Sequence, residues 1–231
     1  MLVTSQGAVF AATGSAVYTA GLISASTFFK LEFGNLVEGH FADGAPRWRC
    51  ALGMVTQTLI LPALFITSWI QHTGMMRAWG RTWAASAGGG ADWLFVFVFV
   101  AFMLADWAIV EVRMVMGLHH VACIIGHLFG AFLTPEGFPF SFAGAVVLEL
   151  GSATCNLYCL YPSSTAAMMG YLATVSATHV VALASLAGWY RTIQSRGGRL
   201  FAVTLTVALV MLRQREAHKA LHHFLGEAPR S

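Results

Sequence analysis

The stretch WLFVFVFVAFML, residues 93–104, contains only apolar residues and decides the class of fold. Its first eight residues would also suit a buried strand, but an isolated strand in lipid would leave its backbone groups without hydrogen bonds. A membrane-spanning helix needs about 20 largely apolar residues, and the apolar character continues beyond this stretch. The sequence therefore predicts a transmembrane helix here.

The composition of the 231-residue chain agrees with a membrane location. Hydrophobic residues make up 57% and charged residues 10%, whereas soluble domains have about 45–50% and about 25%. The mean hydropathy is +0.68. These values exclude a soluble domain, a disordered chain and a secreted disulfide scaffold. The net charge of +3 is spread between the apolar stretches, so no continuous basic face for nucleic acid is expected.

Similar apolar stretches recur along the chain and predict an all-α, multi-pass transmembrane bundle of about seven spans. The last stretch is short unless Arg199 and Arg213 extend to the two membrane interfaces. Two longer loops, 30–49 and 71–92, are expected between spans. The predicted spans are approximately 8–29, 50–70, 93–112, 114–134, 141–160, 165–190 and 199–213.

The basic residues predict the orientation of the bundle. No Lys or Arg precedes the first span, and Lys30 follows it, which places the N-terminus on the exoplasmic side. With seven spans, eight basic residues fall on the side of Lys30 and five on the other, so the C-terminus is predicted to be cytosolic. Its polar tail is expected to form a solvated helix.

Polar residues within the predicted spans are the functional candidates, because a charge at the centre of a span costs about 2.5–3.5 kcal/mol on insertion scales. Such residues are expected to face the interior of the bundle or a wet cavity. The candidates are Asp106, His119, His120, His127, Glu149 and His179, with Gln57, Ser152 and Asn156 as uncharged companions.

Helical geometry places these candidates on two facing stripes. His120 and His127 differ by about 20° around one helix, and residues 149, 152 and 156 of the next helix fall within about 60°. We expect the stripes to face each other, with Glu149 hydrogen-bonded to His120 or His127. The alternative for His127, His179, Ser152 and Asn156 is ordinary hydrogen bonding between helices.

General acid–base chemistry suits the histidine pair better than a metal. A neutral imidazole oriented by a carboxylate is a common base for an amine or hydroxyl, and Asp106 is the natural orienting group. His120 is the expected base, and His119 is expected to fix the geometry. No bound metal or cofactor is predicted, because the three histidines at 119, 120 and 127 diverge and lack the i, i+4 spacing of helical metal ligands. The four cysteines, which lack CxxC spacing, are expected to be buried hydrophobic residues.

The order of these residues resembles the TLC-domain family, which includes ceramide synthases, translocation-associated membrane proteins and small TLC-domain proteins of lipid homeostasis. The matching features are Asp106, the pair His119-His120 within Gly-Leu-His-His-Val-Ala-Cys, and the pattern Glu149-x-x-Ser152-x-x-x-Asn156. The resemblance covers about 47–215. It therefore divides the chain into an N-terminal span and cytosolic loop (1–46), a TLC-like domain (47–215) and a polar tail (216–231).

The resemblance implies a core of six helices around a lipid-accessible cavity, with one extra N-terminal helix. It implies an integral protein of the endoplasmic reticulum or another endomembrane, the plasma membrane being a further option. In ceramide synthases the paired histidines serve acyl transfer from acyl-CoA, together with aspartates further along the chain. Asp106 is the last aspartate here, which moves the likeness toward the small members. The implied catalytic residues are His119, His120 and Asp106, and the implied substrate-binding residues are Glu149, Ser152, Asn156 and His127.

Three functions are compatible with these features. The first is a protein that binds or handles membrane lipid and affects membrane lipid composition. The second is a lipid acyltransferase that uses acyl-CoA as co-substrate and a histidine as base. The third is a structural subunit whose polar stripes contact a partner helix, in a homo-oligomer or in a membrane complex.

Overall fold

A computed structural model describes residues 5–33, 47–72, 74–86, 90–109 and 114–226, and within these ranges the chain is helical and contains no strand. Of the loop predicted at 30–49, residues 34–46 lie outside the described residues, and its two ends, 30–33 and 47–49, are helical. Arg113, Arg230 and the end of the tail also lie outside the described residues. The helices are α1 (Ser5–Phe33), α2 (Arg47–Val55), α3 (Leu61–Gln71), α4 (Met76–Ser86), α5 (Gly90–Ile109), α6 (Met114–Leu128), α7 (Phe138–Leu160), α8 (Thr165–Thr192) and α9 (Arg196–Phe224).

Five helical segments are long and apolar enough to cross a membrane, which confirms the prediction of an all-α, multi-pass bundle. The apolar part of α1 is shorter, Ala16–Phe28, and α9 has only 13 uncharged residues between Arg199 and Arg213. At about 1.5 Å per residue, each of these two apolar segments spans about 20 Å, whereas the hydrocarbon core of a membrane is about 30 Å thick. The seven-span count therefore stays a prediction at these two helices. The five segments are Arg47–Gln71, Gly90–Trp107, Met116–Leu133, Pro135–Leu160 and Thr165–Thr192.

Local sequence signals set several helix boundaries. Ser164 caps α8 by accepting a hydrogen bond from the backbone of Ala167, and Ser195 caps α9 in the same way through Gly198. A π-helical turn, Thr56–Ile60, joins α2 to α3. Pro62 follows it, and because a proline lacks the N–H and crowds the carbonyl four residues earlier, a widened turn is accommodated at this point.

Helix α4 lies where the sequence predicted a loop at 71–92. Trp79 and Trp83, one helical turn apart, are fully buried, whereas Arg77 and Arg81 on the other face are exposed. At Gly80 a side chain would collide with the backbone carbonyl of Glu136, so only glycine allows this close approach. A loop was predicted because the segment is too polar to span a membrane, and this prediction was wrong. The i, i+4 pairs of Trp and Arg in the segment are typical of an amphipathic helix.

Among the described residues, helices α7 and α8 share the most extensive contacts, and α9 packs against α8. The predicted polar tail begins within α9, which continues without a break to Phe224. Ala217 and Ala220 are buried there against Tyr158 and Tyr171. The described part of the tail therefore packs on the bundle through small residues, and the expectation of a solvated helix was wrong for this face.

Candidate functional site

The candidate site lies at the end of the bundle where α2 begins and α5 and α7 end, which we call the polar end. The guanidinium of Arg47 donates a hydrogen bond to the carbonyl of Leu160, and so joins the start of α2 to the last turn of α7. Arg49 lies in the first turn of α2, and Asp106 lies in the last turn of α5. Antiparallel helices therefore bring charged termini together at this end.

A cavity of about 310 Å³ opens between α2, α5, α6, α7, α8 and α9 at the polar end. Its apolar wall includes Phe102, Met103 and Val175, while Met114 and Lys219 at the rim are exposed. Six of the seven predicted site residues line this single cavity. They are Asp106, His119, His120, Glu149, Ser152 and Asn156.

Asp106 connects the histidine pair to α2. Its carboxylate pairs with the guanidinium of Arg49 through two contacts, one of them a hydrogen bond of 3.1 Å from Nε to Oδ1. The Nε2 atom of His120 lies 3.5 Å from Oδ2 of Asp106. The contact between histidine and carboxylate predicted from the sequence is therefore present. A bidentate arginine fixes the carboxylate in one orientation, and so positions His120 against the cavity.

Glu149 is the centre of a second buried network. Its Oε1 accepts a hydrogen bond of 2.8 Å from Nη2 of Arg213, and its Oε2 accepts one of 2.6 Å from Nε2 of Gln57. Asn156 donates in turn to Oε1 of Gln57 at 2.8 Å. The predicted histidine donor for Glu149 was wrong. Arg213 was expected at a membrane interface, but it turns inward, and its Nη1 also donates to the carbonyl of Leu148.

His119 points away from His120 and toward the next turn of its own helix. Its Nε2 lies 3.6 Å from Sγ of Cys123. Together with a carboxylate oxygen of Glu149, these ligand atoms lie within 4.8 Å of one another. Among the described residues, this cluster has the composition and compactness to hold a metal ion. Cys123 lies one turn below His119 at i, i+4 spacing, and the absence of a metal was predicted from the divergence of the three histidines without this pair.

Two glycines allow the polar side chains to approach neighbouring helices. At Gly53 a side chain would meet the amide nitrogen of Asn156 at 2.7 Å, and at Gly151 it would meet Oγ1 of Thr178 at 2.8 Å. Any larger residue at Gly53 would displace the amide that reaches Gln57. The absence of a side chain at these positions is therefore part of how the site is built.

His127 does not line the cavity at the polar end. It lies two turns deeper on α6, and its ring contacts those of Phe95 and Phe99 at centroid distances of 5.2 and 4.8 Å. It borders instead a pocket of about 60 Å³ that also touches Cys123 and Glu149. His127 is therefore separated from the other six predicted site residues by about two turns of α6, and its predicted role in substrate binding stays a prediction.

Two residues of the site, Arg49 and Arg213, are absent from the sequence-based prediction, because both lie near the ends of predicted spans, where arginines typically lie at the membrane interfaces. The signal that could have found them is charge pairing. Two buried carboxylates, Asp106 and Glu149, need partners in a low-dielectric environment, and the span ends on the same side carry arginines.

Comparison with known proteins finds no match to the chain among protein-family models, curated protein sequences or solved structures. The likeness to the TLC-domain family therefore stays a hypothesis, which rests on Asp106, the histidine pair and the polar stripe of α7.

Proposed function

We propose that the chain binds a membrane lipid by its headgroup in the cavity at the polar end, and that it handles lipid in a way that affects membrane composition. The observation that carries this proposal is the combination, in one cavity, of buried hydrogen-bonding groups with an apolar wall inside a helical membrane bundle. An amphiphile satisfies both parts of such a surface. The resemblance to small TLC-domain proteins, typical of endomembranes, points to the same role.

The size and charge of the cavity support a headgroup of low net charge. A volume of about 310 Å³ lies at the lower end of the range of about 300–1,000 Å³ for small-molecule sites. The two arginines are each paired with a carboxylate, Arg49 with Asp106 and Arg213 with Glu149. Because the charges compensate one another, a neutral or zwitterionic headgroup with hydroxyl or amine groups fits better than a strongly anionic one.

Lipid that copurifies with the protein tests this proposal. The protein is extracted in mild detergent, and its bound lipids are compared by mass spectrometry with those of the membrane from which it came. We expect one lipid class to be enriched, and we expect His120→Ala to weaken its binding about tenfold, as loss of one hydrogen bond implies. His127→Phe, which lies outside the cavity, is the matched control and should retain the lipid. Bound lipid with the composition of the bulk membrane would overturn the proposal.

A second candidate function is acyl transfer, favoured by the 3.5 Å approach of His120 to Asp106. In this reaction His120 takes the proton of an incoming amine or hydroxyl, whose nitrogen or oxygen bonds to the acyl carbon of acyl-CoA. The C–S bond breaks, and CoA leaves as the thiol with the proton returned by the imidazole, which Asp106 orients. Purified protein in lipid with acyl-CoA and a panel of acceptors should then show transfer. His120→Ala and Asp106→Asn should lower its rate, the former by about a hundred- to ten-thousand-fold. If the protein retained lipid but transferred no acyl group to any acceptor, acyl transfer would be ruled out and lipid binding would remain as the function.

A further inference from the structure

Three potential metal ligands from two helices converge beside the cavity. His119 and Cys123 lie one turn apart on α6, with their Nε2 and Sγ atoms 3.6 Å apart. Glu149 reaches them from α7, so that the three ligand atoms lie within 4.8 Å of one another. Cys123 and Glu149 are buried. An S–H···N hydrogen bond accounts for the approach of His119 to Cys123, and the hydrogen bonds that Gln57 and Arg213 donate to Glu149 hold its carboxylate within reach of both.

The spacing of the histidine and cysteine atoms matches a shared metal ion. At Zn–N and Zn–S distances of about 2.0–2.1 and about 2.3 Å, tetrahedral geometry separates nitrogen and sulfur by about 3.6 Å. We propose that His119, Cys123 and Glu149 bind a zinc ion. Small rotations of the glutamate side chain complete a set of three protein ligands.

The ligand types favour zinc over other divalent cations. A thiolate, an imidazole and a carboxylate form the mixed sulfur, nitrogen and oxygen set that zinc accepts. Magnesium and calcium prefer sites built entirely from oxygen ligands, so the cysteine disfavours both. Binding replaces the thiol proton of Cys123 with the metal, and the proton is released to solvent. The thiolate and the carboxylate supply two negative charges, and because Arg213 also pairs with Glu149, the loaded site keeps a net charge of about +1 that favours an oxygen ligand with negative charge.

Glu149 can bind a metal without losing its present partners. A carboxylate offers about four lone-pair positions, of which Gln57 and Arg213 occupy one on each oxygen. Both partners orient the carboxylate, as outer hydrogen bonds commonly do for metal ligands. Removal of the Gln57 amide should therefore weaken zinc binding about 10- to 100-fold.

Two of the three proposed ligands, His119 and Glu149, line the cavity, so we expect the fourth coordination position to be reached from it. Zinc sites with three protein ligands and one open position bind water or a substrate oxygen there. The ligand class for this position is water or a carbonyl, hydroxyl or phosphate oxygen. The metal site goes beyond the proposed lipid binding and can exist with or without it.

Metal analysis of the purified full chain tests the zinc site. The protein in detergent is treated with a chelator, loaded with zinc or cobalt and freed of excess metal, and its metal content is measured. Wild type should hold about one zinc per chain, and the cobalt form should show absorption from charge transfer between thiolate and cobalt. Cys123→Ala should lose both signals. Cys155→Ala, which removes another cavity-lining cysteine outside the trio, should keep both.

Folded wild-type protein that holds no zinc above the buffer level would overturn the proposal, as would full retention of zinc by Cys123→Ala. Gel filtration of every sample shows whether the fold is intact, and the cobalt spectrum of wild type needs no variant at all. Lipid content is measured on the same preparations. Bound zinc without an enriched lipid class would support the metal site and overturn the proposed lipid binding. An enriched lipid class without bound zinc would support lipid binding and overturn the metal site.

Discussion

Two histidines of helix α6 lie in very different environments. At the polar end, His120 lies 3.5 Å from Asp106 and borders the cavity. Two turns deeper, at what we call the aromatic end, His127 lies among the rings of Phe95, Phe99, Phe138 and Phe142. Both residues lie on the same face of the helix. A shared face therefore predicts burial, but the depth along the helix decides the chemistry.

The two ends are also held together by different forces. The polar end depends on ion pairs and amide hydrogen bonds between helices. The aromatic end depends mainly on ring packing, supplemented by polar contacts such as the buried contact of 2.8 Å between His72 and Asp92 and the hydrogen bond of 2.7 Å from Nε1 of Trp83 to the carbonyl of Ala131. Substitutions should therefore cost most where they strand a buried charge, and least where they replace one ring with another.

The largest effect on stability is expected at Glu149. Glu149→Leu leaves the guanidinium of Arg213 buried without its carboxylate, and the loss of one partner of a buried pair typically costs about 3–5 kcal/mol. Glu149→Gln keeps an acceptor for Arg213 and should cost less. Thermal unfolding in detergent, followed by the loss of soluble monomer, measures both. Equal stability of the two variants would show that the contact with Arg213 contributes nothing to folding.

A smaller effect is expected from the pair Arg49 and Asp106. Arg49→Leu, Asp106→Asn and the double variant form a cycle, and the coupling free energy should be about 1–2 kcal/mol because the pair is bidentate and largely buried. The exposed pair Glu216 and Lys219, at 2.7 Å, is the matched control. Its coupling should not exceed about 0.5 kcal/mol. If the two pairs gave the same coupling, the polar end would be no more rigid than the exposed surface.

These comparisons show which features the sequence could predict. Five of the predicted spans coincide with helices long and apolar enough to cross a membrane, because a long apolar run has few alternatives in lipid. The facing stripes of α6 and α7 also followed from helical periodicity, which brought Glu149, Ser152 and Asn156 to the same cavity as His120. Both predictions rest on local patterns.

The remaining features depend on contacts that are distant in sequence. Glu149 finds its partners 92 and 64 residues away, in Gln57 and Arg213, and no periodicity within α7 specifies either of them. Helix α4 was not predicted because hydropathy over about 20 residues indicates membrane spans, and a short amphipathic helix does not give this signal. His127 was predicted to belong to the site because a helical wheel shows the angular position of a residue around the helix and does not show its position along the helix axis.

The smallest effect on stability is expected at His127, and it tests the contrast with His120 directly. Neither ring nitrogen of His127 has a hydrogen-bond partner within the described part of the chain, so the imidazole contributes ring packing at the cost of two buried polar atoms. Replacing such a group by an apolar one of similar shape can be nearly neutral or stabilising. His127→Phe should therefore change the free energy of unfolding by less than about 1 kcal/mol. His120→Phe, the matched change at the polar end, removes a partner of Asp106 and should cost about 1–3 kcal/mol. If His127→Phe proved the more destabilising of the two, the deeper imidazole would have a polar partner, and the functional site would extend into the aromatic end.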